Sequence, residues 1–123
     1  MTQRTLTHFF DDILKAIEAI ERFVFHMNYD DFAHDEKTIR AVEREFEIIG
    51  EAVKKIPDAM TRKYPAVPWR LAAGMRDRLI HHYWETEAEI LWKTLQESVP
   101  QLHTMIKTIM QNETLSNRWR TTY

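Results

Sequence analysis

The chain has no cysteine, so it can form neither a disulfide framework nor a thiolate zinc site. Glycine (2) and proline (4) are scarce among its 123 residues, too few to punctuate the many turns of an all-β fold. No apolar run approaches the roughly 18–20 residues that span a bilayer, and the first residues carry no signal-peptide pattern. No membrane association is therefore expected, and the expected location is a reducing cytoplasm. There is no glycine-rich phosphate loop, which removes the common route to ATP hydrolysis. What remains is ordinary in bulk, with 44% apolar and 29% charged residues, and rich in the helix formers Ala, Leu, Glu, Lys and Met. That composition points to an all-α domain.

The net charge of −2 argues against bulk binding to nucleic acid, DNA included, but it hides an uneven distribution. The first 53 residues are strongly acidic. Residues 54–78 carry Lys54, Lys55, Arg62, Lys63, Arg70, Arg76 and Arg78 against only Asp58 and Asp77. A local basic zone on an acidic protein can concentrate one anionic ligand without making the whole surface adhesive. The plain alternative is that these side chains solvate a loop and two helix ends.

Hydrophobic periodicity predicts four main helices. Thr7 is a candidate N-cap after a frayed residues 1–6, and Ile13, Leu14, Ile17, Ile20 and Val24 mark a helix to about Met27. Asn28 to Asp31 has turn chemistry, and Phe23, Phe25, Tyr29 and Phe32 around it read as a core plug. A second helix, from about Asp35 to before Pro57, carries Ile39, Val42, Phe46, Ile49, Val53 and Ile56 at 3-4-3-4-3 spacing. Gly50 in its middle suggests a close approach by another helix. Residues 57–68 hold three of the prolines and read as a short helical turn followed by a stiff connection. A third helix is predicted from Trp69 to about Tyr83. Thr86 is the expected cap of a fourth, with Glu87 and Glu89 in its first turn complementing the dipole. Its stripe is Leu91, Leu95, Val99, Leu102, Ile106 and Ile109, with a bend expected at Pro100. The expected architecture is an antiparallel helical bundle of four main helices plus a short helical turn, over residues 1–110, with a polar tail at 111–123.

One stretch stands apart. Arg76 to Tyr83 reads RDRLIHHY, and six of its eight residues are polar or titratable. On a helix, Asp77 and His81 share one face at i and i+4, Arg78 and His82 share the next, and Arg76 and Tyr83 align two turns apart. Asp77 can orient the His81 ring for proton transfer near neutral pH. The Arg76 guanidinium offers a fork for phosphate oxygens and can stabilise charge that develops on phosphorus. Together they suggest attack of a ribose 2′-hydroxyl on the adjacent phosphate, a reaction open to RNA and closed to DNA. Arg, Asp and His also build inter-helix ion pairs, so spacing alone leaves a structural role open. A metal centre is disfavoured, and no cofactor is expected. His81 and His82 are adjacent and diverge, no Glu-x-x-His pair exists, and His8, His26, His34 and His103 are scattered.

Arg76, four residues, His81, one residue and Tyr83 resemble the R-x4-H-x-Y motif of HEPN-domain ribonucleases, in particular the HepT-like toxins. FEIIGEAVKKIP (46–57) and YPAVPWRLAAGMRDRLIHHYW (64–84) also resemble that family, and the similarity extends over about residues 8–110. The resemblance implies a helical HEPN fold acting as a homodimer, with a composite RNA-cleaving site between protomers. It implies that Arg76 and His81 are catalytic, with Asp77, Arg78 and His82 in support, and that tRNA is a candidate substrate. Asp77 stands where the family often has asparagine; its charge would repel a phosphate unless His81 or an arginine neutralises it. The family pairs with a minimal nucleotidyltransferase antitoxin, and by resemblance Tyr83 is the tyrosine that receives AMP.

The leading expectation is a metal-independent endoribonuclease toxin. A non-catalytic helical partner that binds or regulates a nucleotidyltransferase is the competing expectation, and an inert helical dimer is the third.

Overall fold

The computed structural model describes residues 1–75 and 84–115. Among them the secondary structure is entirely helical: α1 (Gln3–Phe23), α2 (Tyr29–Ala33), α3 (Glu36–Lys54), α4 (Asp58–Lys63), α5 (Trp69–Ala73) and α6 (Trp84–Asn112). The three long helices carry the core. Phe10, Ile13, Leu14, Ile17 and Ile20 of α1 meet the expected α3 stripe, and all six predicted stripe residues of α6 are buried with them. Each helix has one apolar stripe that must be hidden, and three or more such stripes turned inward make a bundle. Both α3 and α6 run antiparallel to α1. Lys55, just past the end of α3, sits 5.8 Å over the ring of Phe9, and the side-chain amide of Gln3 at the start of α1 donates to the Thr114 carbonyl beyond α6.

Several boundaries differ from expectation, each for a local reason. The first helix starts at Gln3 because Thr2, not Thr7, is the cap: its hydroxyl accepts from the Thr5 amide at 3.1 Å. Thr7 is instead buried within the helix and donates to the Gln3 carbonyl at 2.8 Å. Asn28 to Asp31 is not only a turn. Asn28 and Asp31 form a reciprocal capping box that starts α2. Of the aromatic cluster, Phe32 alone is a core plug, with Trp92 at 5.2 Å between ring centres. Phe23 and Phe25 are exposed, the latter at 71%, and His26 adopts a positive φ of 64°.

The helix predicted from Trp69 to Tyr83 ends at Ala73, among the described residues, with Gly74 as its C-cap and Met75 in a turn. A Cβ at position 74 would stand 3.3 Å from the Arg70 carbonyl oxygen, so glycine suits this tight stop. The last helix begins at Trp84, which places Thr86 inside it rather than at its cap. It passes through Pro100 unbroken. Pro100 is exposed, so the backbone bond it removes lies where water can serve the freed carbonyl.

The end of α6 lies beyond residue 110. It closes with a Schellman turn in which the Leu115 amide reaches the Met110 carbonyl at 2.8 Å and the Thr114 amide reaches the Gln111 carbonyl at 3.2 Å. Thr114 occupies the left-handed position with φ 55°, and Leu115 packs into the core. Glu113 is clasped by Lys63 at 2.7 Å and by the Tyr64 hydroxyl, fastening the α4–α5 connection to the end of α6. Residues 116–123 of the expected tail lie outside the described residues.

Candidate active site

The candidate stretch is held at both ends. At its start, Trp69 anchors α5. The indole N–H donates to the Tyr64 carbonyl at 2.9 Å, and the ring lies 6.5 Å from that of Phe10. Ala72 and Met75 are buried in the same region. At its end, α6 is fixed by Ala88 and Leu91 in the core and by Trp92, which meets both Phe32 and Tyr29. Arg76, Asp77, Arg78, His81, His82 and Tyr83, the six residues singled out from the sequence, lie outside the described residues.

The fold also buries charged groups around these anchors, which the sequence reading did not anticipate. Asp11 of α1 is 1% exposed and pairs with Lys15 at 3.1 Å. Glu87, the fourth residue of α6, is 7% exposed and so is not the open first-turn charge expected of it. Its carboxyl lies within hydrogen-bonding reach of Glu43 on α3, and both oxygens of Glu43 accept from Arg40 Nη1, at 3.3 and 3.1 Å. Burial first, then the bond to Glu43 and its charge, push the Glu87 carboxyl up to about 7, while Arg40 pulls it down. Glu45, farther along α3, is also raised by burial, with Arg44 and Arg22 opposing.

The sequence holds a signal for both buried acids. Asp11 falls beside Phe10 and near Leu14 on the apolar stripe of α1, and Glu87 stands four residues before Leu91 on that of α6. A carboxylate on an apolar stripe is buried unless the helix turns, and burial calls for a partner.

The basic zone is partly neutralised. Arg62 lies 3.8 Å from Asp58, and Lys63 binds Glu113, whereas Lys54 and Arg70 are exposed. Of the scattered histidines, His103 pairs with Glu21 at 3.1 Å and His34 contacts the Asp30 carbonyl at 2.8 Å. Among the described residues, no group of three or more His, Asp or Glu side chains is arranged to hold a metal ion, and no helix is long and apolar enough to cross a membrane. An open cleft of about 340 Å³, lined by Gln3, Leu6, Pro57, Met60, Glu113 and Leu115 among others, lies at the C-terminal end of α6. That helix has 29 residues and is about 43 Å long at ~1.5 Å per residue, so the cleft is far from the end that follows Tyr83.

Residues 13–109 match the model of the family described as Ribonuclease HepT-like. The chain is 46% identical over 100 residues to a Thermococcus cleftensis protein named "Probable ribonuclease HepT", covering 81% of this chain and 91% of that one. It is 43% identical over 100 residues to a Methanocaldococcus jannaschii protein named as an RNase, covering 81% and 83%. A third relative named as an RNase, from Caldanaerobacter subterraneus subsp. tengcongensis, is 38% identical over 110 residues, covering 89% and 98%. No solved structure matches the chain.

Proposed function

The chain belongs to the HepT-like ribonuclease family, and we propose that it is an RNA-cleaving enzyme whose catalytic pair is Arg76 and His81. The observation that carries this is the Arg76, His81 and Tyr83 spacing, which falls within the 13–109 span that matches the family. The relatives' names support the ribonuclease class, and the residue chemistry supports the mechanism.

In that mechanism the ribose 2′-oxygen attacks the adjacent phosphorus as His81 accepts the 2′-hydroxyl proton. Arg76 holds the non-bridging oxygens and stabilises the charge that builds on them. The bond from phosphorus to the 5′-oxygen breaks, and that oxygen leaves with a proton. The products are a 2′,3′-cyclic phosphate and a 5′-hydroxyl, with no redox change and no metal required. Asp77 orients His81, while Arg78 and His82 add positive charge for the RNA backbone. The active form is a homodimer, and tRNA is the proposed substrate class.

Control is proposed to come from a nucleotidyltransferase antitoxin that transfers AMP to Tyr83. The tyrosine oxygen attacks the α-phosphorus of ATP and pyrophosphate leaves. The added phosphodiester and adenosine place negative charge and bulk on the same motif as Arg76, where an RNA phosphate must bind. Induced expression in the absence of that partner tests the toxin reading. Wild type should arrest growth and His81→Ala should not. Equal tolerance of the two, at equal levels of folded protein, would point to a non-catalytic partner of the nucleotidyltransferase.

A further inference from the structure

The Arg40, Glu43 and Glu87 cluster joins two long helices at the point where α6 emerges from the candidate stretch. Glu87 is four residues beyond Tyr83, about one turn of helix. It is buried, it faces another carboxyl rather than a cation, and Arg40 forks onto Glu43 from the solvent side. Two carboxyls in contact are held together when they share one proton, because the O–H of one donates to the carboxylate of the other. With both ionised they repel across a poorly solvated gap.

We propose that Glu87 is a positioning residue for the candidate site: through Glu43 and Arg40 it ties the first turns of α6, and so the end of the 76–83 stretch, to α3, and it releases them when both carboxyls are charged. For its effect on cleavage this rests on the ribonuclease function proposed above; the tether itself does not. The raised Glu87 carboxyl, at about 7, sets the range in which release occurs. A carboxyl whose folded value lies above its ordinary one adds stability that is fully present below about 4.5 and is lost as pH rises through about 7.

The other charged groups on the packed elements are accounted for. From α3, Arg40 and Glu43 act on Glu87, and Glu36 acts on Arg40. On α2, Asp31 is engaged with the Asn28 amide, and Asp30 lies one residue before it. From α1, Glu21 meets α6 at His103. The titratable members of the 76–83 stretch are common to wild type and to any variant at position 87, so a ratio between the two cancels them.

The test compares wild type, Glu87→Gln and Glu87→Leu across the range from mildly acidic to mildly basic buffer, on either side of neutrality. The glutamine variant keeps a donor to Glu43 at every pH and adds no charge, whereas the leucine variant cannot donate. Two readouts are taken in the same buffers: RNA cleavage rate, and amide hydrogen exchange of residues 84–91 without RNA. The expected ratio of wild type to Glu87→Gln is near one on the acid side and falls several-fold on the basic side, in rate and in protection alike. Glu87→Leu should be less protected throughout, with no such pH trend. Ratios that stay constant with pH in both readouts would overturn the proposal. If wild type cuts no RNA at any pH, the ribonuclease reading fails while exchange still decides the tether: a pH-dependent ratio sustains it, a constant one ends it.

Discussion

Glu113, the first residue past α6, accepts from the Lys63 ammonium at 2.7 Å and from the Tyr64 hydroxyl, across 49 residues of sequence in the second case. These two donors hold its carboxyl below its ordinary value, Lys63 most strongly, and the Lys63 ammonium is raised in return. A depressed carboxyl stabilises the fold above its unfolded value of about 4.5 and loses that contribution as pH falls through its folded value. Glu113→Ala should therefore lower the melting temperature near neutral pH, and the difference from wild type should close in acid. Thermal melts of both proteins from neutral to acidic buffer measure this.

The left-handed Thr114 is the opposite case, a residue ill suited to its conformation. A β-branched side chain in this region carries strain of order 1–2 kcal/mol, which glycine does not. Thr114→Gly should stabilise by about 1 kcal/mol, after allowing for glycine's greater freedom in the unfolded chain. Urea denaturation with an unchanged slope and a higher midpoint is the expected result.

Phe32 ties the short α2 to α6 through Trp92 and is fully buried. Phe32→Ala should destabilise by about 3–5 kcal/mol, the range for a large aromatic truncated in a core. Phe25→Ala, at an exposed site, should change stability by less than about 0.5 kcal/mol. Equal effects in chemical denaturation would contradict the assignment of Phe32 alone as the plug.

Tyr83→Phe removes only the oxygen that would receive AMP. The variant should cleave RNA as wild type does and should no longer be silenced by the nucleotidyltransferase. Mass spectrometry after incubation with partner and ATP should show one AMP on wild type and none on the variant. Addition of AMP to both would place the modified residue elsewhere.

The long helices are legible in the sequence because the stripes of α3 and α6 repeat at helical spacing, and every residue of both stripes is buried. Local chemistry that competes with periodicity is harder to read. Thr2 and Thr7 are both plausible caps by type, and only the backbone course distinguishes a capping hydroxyl from one turned back onto its own helix. The stop at Gly74 is masked by the apolar residues on either side of it, although glycine is a common helix stop. The Glu43–Glu87 contact cannot be read from spacing, since it joins two helices whose relative register is set by packing. The candidate motif is conspicuous in the sequence for the opposite reason: six polar or titratable groups crowd into eight residues after an apolar run.

Cleavage of RNA by the unmodified purified protein, with EDTA present, tests the central claim most directly when run beside Arg76→Ala and His81→Ala. The account predicts that only the wild type cuts and that it leaves 2′,3′-cyclic phosphate ends. Cleavage that persists in both variants, or a folded and unmodified wild type that cuts no RNA from its host, would contradict it.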